Sequence, residues 1–265
     1  MKRIVLGLQY DGGPWQGWQT QSSGLAVQDQ LETALHKFSG APQRCHCAGR
    51  TDAGVHALEQ VVHFDTAAMR SDAAWVRGVN AFLPPSVAVR WAAQLPAVSP
   101  DGFHARFSAR ARTYHYVLYN HPVRAPLLVG KAGWVFRALD VQAMQQGADA
   151  LLGTHDFSTF RAAQCQAKSP LKTVRRIAVE RRGDMVLLSF EANAFLHHMV
   201  RNIVGSLVYV GAGKHTPAWI ADLLAARDRS LAAPTFMAEG LYLAKIDYDP
   251  IWGLPQQATP ATLWF

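Results

Sequence analysis

The segment Gly49-Arg-Thr-Asp-Ala-Gly-Val-His-Ala57 lies between a short stretch of strand character at residues 44–48 and a strong one at residues 60–66. Two glycines flank an aspartate that has an arginine two positions before it. Because glycines allow close approach of backbone or ligand, the segment predicts a shaped loop that exposes the Asp52 carboxylate. Such a carboxylate suits a nucleophile or a general base. The alternative is an aspartate that only caps a turn.

Outward from this segment, strands alternate with helices in the same order in both halves of the chain. The predicted strands are residues 2–9, 44–48, 60–66, 112–119, 185–191 and 240–248, and the predicted helices are 27–38, 72–82, 141–152, 197–210 and 218–226. This order predicts an α+β fold. We expect two ferredoxin-like or RRM-like α/β halves that share a central, mainly antiparallel sheet, with the active-site cleft between them.

The clearest linker begins at Leu95-Pro96 and ends at Pro100-Asp-Gly102. It predicts an N-terminal subdomain at residues 1–102 that carries Asp52 and a C-terminal subdomain at residues 103–250. The remaining tail, residues 251–265, contains Trp252, Trp264 and Phe265, so we expect part of it to pack against the fold.

Composition limits the class of protein. The 265 residues are 49% hydrophobic and 17% charged, which is typical of a globular chain. Lys and Arg outnumber Asp and Glu by 26 to 19, and this net charge of +7 favours an anionic partner. No apolar stretch approaches the roughly 18 residues of a membrane span. Three cysteines are too few for a disulfide framework and indicate a cytoplasmic location.

The helix predicted at residues 197–210 contains a cation in apolar surroundings. At about 100° per residue, Arg201 lies opposite the main apolar face, but Val204 and Val208 flank it there. A buried arginine needs an anionic partner, and Asp52 is a candidate. The alternative is a side chain that extends to water.

Two basic segments are candidates for contact with RNA. In the first, Arg106, Arg110 and Arg112 alternate with aromatic side chains up to Tyr114 and Tyr116, which share one strand face. Arginines contact phosphates and aromatic rings stack on unpaired bases. The second segment contains the cations Lys168, Lys172, Arg175, Arg176, Arg181 and Arg182. The alternative for the first segment is a half-buried strand with a solvated basic edge. The alternative for the second is a solvated face.

The sequence predicts no metal and no nucleotide cofactor. Cys45-His-Cys47 is too tight for a zinc site and lacks a second cysteine pair. His197 and His198 are adjacent on the predicted helix, so their side chains should diverge by about 100°. The chain has neither a Gly-x-Gly-x-x-Gly motif nor a Walker loop.

Taken together, these segments resemble the bacterial tRNA pseudouridine synthases of the I or A type. The resemblance covers residues 3–249. Its most specific part is the nine-residue segment around Asp52. The other matching segments are Tyr10-Asp-Gly, Gly17-Trp-Gln, Gln60-Val-Val-His-Phe, Asn80-Ala-Phe-Leu-Pro, Phe103-His-Ala-Arg-Phe-Ser-Ala, Tyr114-x-Tyr, Gly153-x-His-Asp-Phe-Ser-Thr-Phe-Arg, Phe195-Leu-x-His-Met-Val-Arg-Asn-Ile-Val-Gly and Gly240-Leu-Tyr-Leu.

The resemblance implies roles for four residues. Asp52 would be the catalytic nucleophile, and Arg201 its ion-pair partner. Tyr114 would stack on the target uracil, while Arg50 would fill the space left by the flipped nucleotide. The implied reaction isomerises uridine to pseudouridine at positions 38, 39 and 40 in the anticodon stem and loop of tRNA, without a cofactor, in a homodimer.

Two other functions stay open at this stage. A non-catalytic RNA-binding protein would use the same basic and aromatic segments. A hydrolase would pair Asp52 with a second acid, but the motif offers only Arg50 and His56 as neighbours.

Overall fold

The computed structural model describes residues 1–96 and 102–255. They form two compact units: Met1–Arg110 with the described residues from Leu243 onward, and Ala111–Tyr242. Each unit combines helices with mainly antiparallel strands, which confirms the α+β class. Residues 103–110 and most of the last strand group with the first unit. The predicted subdomain boundaries at 102 and 250 stay a prediction, and the linker residues 97–101 lie outside the described chain.

The first unit is built on a strand with antiparallel partners on both sides. Its elements are β1 (Lys2–Tyr10), α1 (Val27–Ser39), β2 (His46–Cys47), β3 (His56–Thr66), α2 (Asp72–Asn80) and β4 (Val87–Pro96). Strand β1 pairs antiparallel with β3 and with β4, and the short β2 pairs with β3. The loop that contains Asp52 therefore connects β2 to β3 at one end of this sheet.

Helices α1 and α2 pack together on one face of the first unit. Trp75 of α2 makes edge-to-face contacts with Phe38 of α1 and Phe64 of β3, at centroid distances of 5.2 and 5.5 Å. Burying a side chain of this size stabilises the fold by about 1.5–3 kcal/mol. Helix α1 ends at Gly40, whose φ of 79° is a left-handed conformation that glycine adopts without strain.

The second unit contains four strands paired side by side, one further short strand and three α-helices. Its elements are β5 (Ala109–Asn120), β6 (Gly133–Val135), α3 (Val141–Asp149), β7 (Gly153–Asp156), β8 (Leu171–Arg182), β9 (Met185–Ala192), α4 (Met199–Gly211) and α5 (Trp219–Ala226). The strand order is β5-β9-β8-β7, with antiparallel pairing throughout this path, and β6 adds parallel to β5.

Helix α4 is almost completely buried, as the sequence predicted. Eleven of its thirteen residues are buried, and the exceptions are Arg201 and Tyr209. Gly205 allows the backbone at Pro234 to approach the helix closely, because a Cβ at position 205 would lie 2.4 Å from the carbonyl oxygen of Pro234. The helix thus positions Arg201 on a rigid element.

The last strand, β10 (Leu241–Tyr248), is a neighbour of β3 in the first unit. Beyond it, Trp252 packs edge-on against Phe103 with centroids 5.5 Å apart, so the start of the tail packs as predicted. Trp264 and Phe265 lie outside the described residues. Among the helices of the described chain, none combines the length and the apolar character that crossing a bilayer requires.

Candidate active site

Asp52 begins a tight turn at the entrance to β3. The N–H of Val55 donates to the Asp52 carbonyl oxygen at 3.1 Å, and Gly54 takes a φ of 78°. Upstream, the buried Gln60 side chain accepts from the Gly49 N–H at 3.3 Å and donates to its carbonyl oxygen. The turn is therefore held by hydrogen bonds on both sides of Asp52, whose side chain is half-buried.

A second loop, residues 11–18, packs directly against this turn. The Trp18 N–H donates to the Thr51 carbonyl oxygen at 3.0 Å. Gly17 has a φ of 87°, and a Cβ there would lie 2.7 Å from the Thr51 carbonyl oxygen and 3.1 Å from the carbonyl carbon of Asp52. Only glycine fits here without displacing the aspartate turn. Arg50, just before the turn, is exposed.

In the second unit, Tyr114 and Tyr116 share one face of β5, as predicted, but differ in their surroundings. The Tyr116 hydroxyl donates to the Met237 carbonyl oxygen at 2.8 Å, and burial raises the pKa of Tyr116 well above its ordinary value. The Tyr114 ring is 9% exposed and contacts Phe195 edge-on, with centroids 5.1 Å apart. Tyr116 is therefore a core residue, and Phe195 is a neighbour of Tyr114 that only the fold reveals.

Arg201 is fixed through its guanidinium and its backbone. Its Nε donates to the Phe236 carbonyl oxygen at 2.8 Å, and the Phe236 N–H donates to the Arg201 carbonyl oxygen at 3.3 Å. These two bonds fix the orientation of the guanidinium against the Phe236 backbone. Asp52 belongs to the first unit and Arg201 to the second, and their pairing stays a prediction.

The prediction that His197 and His198 diverge on a helix is wrong. Helix α4 begins at Met199, and His198 precedes it with a left-handed φ of 61°. The two rings lie with centroids 4.0 Å apart at an interplanar angle of 40°. The 100° rule does not apply because neither residue is inside the helix.

The predicted RNA-binding cations of the first unit lie in different environments. Arg106 is exposed, with its guanidinium 5.6 Å from the centre of the Phe107 ring. Arg110 is exposed and forms an ion pair with Asp249.

In the second unit, Arg112 donates to the Asn193 carbonyl oxygen at 2.8 Å. Lys168 is exposed. The Lys172 ammonium donates to the carbonyl oxygens of Ser169 and Leu171 at 2.7 and 2.8 Å, and partial burial lowers its pKa. Lys168 is therefore the freer of the two lysines to contact a phosphate.

The site contains two residues that sequence reasoning missed. Thr51 is buried beside Asp52, and its hydroxyl meets the hydroxyl of Tyr10. Both residues lie within segments that the sequence singled out, but hydroxyl groups in a strand end and a loop are too common to identify a pair. The contact depends on the register of β1 with β3, which only the fold supplies.

The α+β fold with mainly antiparallel strands is the fold expected of a pseudouridine synthase. A family model described as tRNA pseudouridine synthase matches residues 148–249. The chain is 65% identical over 263 residues to tRNA pseudouridine synthase A of Herminiimonas arsenicoxydans, covering 99% of this chain and 96% of the relative. The corresponding protein of Janthinobacterium sp. (strain Marseille) is 66% identical over 266 residues, covering 99% and 98%.

The chain belongs to the tRNA pseudouridine synthase A family and is an isomerase of the pseudouridine synthase class. Among solved structures, the crystal structure of a Cbf5-Nop10-Gar1 complex shows a distant likeness. The TM-score is 0.40 at 13% identity, covering 91% of this chain and 48% of that chain, which adds nothing to the assignment.

Proposed function

We propose that this chain isomerises uridine to pseudouridine at positions 38, 39 and 40 in the anticodon stem and loop of tRNA. The observation that carries the proposal is the Asp52 turn. Asp52 is half-buried, and backbone hydrogen bonds hold the turn on both sides of it, in a segment with the sequence expected of the family. The relatives named above are tRNA pseudouridine synthases, and the net charge of +7 suits a polyanionic substrate.

The reaction breaks the bond between N1 of uracil and C1′ of ribose and forms a bond from C5 to the same C1′. A proton leaves C5 and N1 gains one, so no atom is added overall. The reaction therefore consumes no cofactor. In this proposal the ionised Asp52 is the nucleophile, and Arg201 stabilises its charged form as an ion-pair partner.

The target base must leave its stack before Asp52 reaches it. Extrusion costs a few kcal/mol, which contacts to phosphates and stacking on an aromatic ring offset. Tyr114, with one edge supported by Phe195, is the proposed stacking residue. Arg50, exposed two positions before Asp52, is proposed to occupy the vacated space. Arg106, Arg110, Arg112, Lys168 and Lys172 are proposed RNA contacts.

One site that serves three neighbouring uridines is expected to read RNA shape and backbone rather than each base. We further propose that the enzyme works as a homodimer in the cytoplasm with one tRNA spanning both subunits.

The test is incubation of the full chain with unmodified tRNA, followed by mapping of pseudouridine with carbodiimide and primer extension. We expect new pseudouridine at the three positions and none with Asp52→Asn. Wild-type protein that binds tRNA without forming pseudouridine would favour a binding protein. Release of free uracil would favour a hydrolase. Modification at other positions would contradict the proposed specificity.

A further inference from the structure

A pair of buried hydroxyl groups lies immediately beside the proposed nucleophile. Tyr10 ends β1, and Thr51 is the residue before Asp52. The Tyr10 Oη and the Thr51 Oγ1 are 2.8 Å apart, and the two residues are only 3% and 7% exposed. Because a buried hydroxyl is costly without a partner, this bond fixes the rotamer of Thr51.

The main chain of Thr51 is held by the same part of the protein. Its carbonyl oxygen accepts the Trp18 N–H at 3.0 Å. The rings of Trp18 and Tyr10 also pack against each other, with centroids 6.0 Å apart and an interplanar angle of 34°. Tyr10 thus holds the side chain of Thr51, and Trp18 holds its backbone.

The far end of the aspartate turn is anchored as well. The Gly12 N–H donates to His56 Nδ1 at 3.0 Å, and a Cβ on Gly12 would lie 2.0 Å from the carbonyl oxygen of Val55. Segment 10–18 therefore contacts the chain both before and after Asp52. The anchored backbone thereby fixes the direction of the Asp52 side chain.

We propose that Tyr10 is a positioning residue for the reaction and that it acts on Asp52 through the hydroxyl of Thr51. The proposal rests on the proposed role of Asp52 as nucleophile. Tyr10 itself is too deeply buried to contact RNA. Misplacing a reacting group by about 1 Å costs on the order of 100-fold in rate, so partial loosening of the turn should cost less.

The experiment measures kcat and KM for tRNA with Tyr10→Phe, Thr51→Val, Thr51→Ser and the double variant Tyr10→Phe/Thr51→Val. Tyr10→Phe and Thr51→Val should each lower kcat about tenfold and leave KM within about twofold. Thr51→Ser, which keeps the hydroxyl, should retain most of the wild-type kcat. If Tyr10 acts through Thr51, the double variant should be no slower than Thr51→Val alone.

Tyr242→Phe is the matched control. The Tyr242 residue is 5% exposed and its hydroxyl donates to the Lys131 carbonyl oxygen at 2.7 Å, so the variant also removes one hydrogen bond of a buried tyrosine. It should keep the wild-type kcat while shifting the thermal midpoint about as much as Tyr10→Phe.

Four results would overturn the positioning role: additive losses in the double variant, a rise in KM that accounts for the loss, an equal fall in kcat for Tyr242→Phe, or full activity of Tyr10→Phe. An active Asp52→Asn variant would instead refute the role of Asp52. An inactive Asp52→Asn beside a fully active Tyr10→Phe would refute only the positioning role.

Discussion

The Nε of Arg201 donates to the carbonyl oxygen of Phe236 at 2.8 Å, which fixes the guanidinium plane from within the second unit. Lysine lacks the rigid planar fork that holds one donor on this carbonyl and directs the others at a fixed angle. We therefore expect both Arg201→Ala and Arg201→Lys to lower turnover about 100-fold and to change tRNA affinity less than about threefold. Single-turnover rates and filter binding measure the two quantities.

The matched control for these variants is Arg227→Ala. Arg227 is exposed and lies 3.7 Å from Asp156, a solvated ion pair of small energetic value. Its replacement should leave turnover unchanged. Equal losses of rate and affinity in Arg201→Ala would show that the arginine holds phosphate rather than a carboxylate.

Two glycines preceding α1 provide a test of the aspartate turn. Gly17 and Gly24 both have positive φ, at 87° and 67°, so Ala introduces backbone strain of about 1 kcal/mol at either position. Only at Gly17 would the new Cβ meet the turn, 2.7 Å from the Thr51 carbonyl oxygen, whereas Gly24 has open space within 4 Å. Gly17→Ala should lower kcat at least tenfold, and Gly24→Ala should leave kcat near the wild-type value. Similar activity in both variants, measured with the same tRNA, would contradict the importance of this contact.

The salt dependence of tRNA binding should distinguish the two lysines that follow Cys165. Each phosphate contact contributes about −0.7 to −0.9 to the slope of log K against log salt concentration. Lys168→Gln should reduce the magnitude of the slope by about that amount. Lys172→Gln should reduce it less, because the Lys172 ammonium already donates to two carbonyl oxygens. Identical slopes for wild type and Lys168→Gln would show that Lys168 does not contact a phosphate.

Acid should destabilise the first unit through His63. Burial, followed by the charges of His104, Arg3 and His46, lowers the pKa of His63 to about 3, while Asp65 opposes this shift. The ordinary pKa is 6.5, so below that pH the unfolded chain binds a proton that the folded chain does not. His63 therefore supports stability above pH 6.5, and this support is lost as pH falls toward 3, by at most about 1.4 kcal/mol per pH unit.

Urea denaturation at pH 7.5 and pH 5.5 measures the effect. The wild type should lose more stability between the two pH values than His63→Asn, which keeps an acceptor for the Ala105 N–H now bound at 3.1 Å. His36→Asn, at an exposed position of α1, should behave like the wild type. A loss of stability in His63→Asn as large as in the wild type would assign the acid sensitivity to other groups.

The cysteines should differ in reactivity. Partial burial disfavours the thiolate of Cys165, but hydrogen bonds from the N–H groups of Ala167 and His197, together with Arg161, outweigh it and lower the pKa. Burial, Glu32 and Cys47 raise the pKa of Cys45 well above its ordinary value. Iodoacetamide at pH 7.5 should therefore alkylate Cys165 at least tenfold faster than Cys45, as followed by peptide mass spectrometry. Arg161→Gln should slow the labelling of Cys165, and faster labelling of Cys45 would contradict the assignment.

Local sequence patterns predict the helices and strands that have an apolar face and a clear start or stop signal in the sequence. Helix α1 combines helical spacing with Gly40, and its observed range agrees with the prediction within one residue. The sequence predicts no strand at β4, because the segment contains Ala92-Ala93 and lacks clean alternation. Long-range pairing with β1 decides its conformation. The sequence identifies residues 168–182 only as a basic segment, but strand β8 runs through it and buries Val174 and Ile177.

The candidate site shows the same division. Asp52 stands out in the sequence because glycines flank it and a predicted strand precedes its segment. The bond between Tyr10 and Thr51, the edge-on contact of Phe195 with Tyr114 and the proximity of the two histidine rings depend on tertiary packing. The histidines also depend on the left-handed φ of His198, which no periodicity indicates.

Strand β10 has a consequence for how the protein is made. The strand next to β3 in the first unit comes from residues 241–248, which leave the ribosome after residues 111–240 of the second unit. The sheet of the first unit, which carries Asp52, is therefore completed only after residues 241–248 have been synthesised. A nascent chain arrested before residue 241 should expose the part of the β3 edge that β2 does not pair with, a site for chaperone binding, until synthesis delivers the final strand.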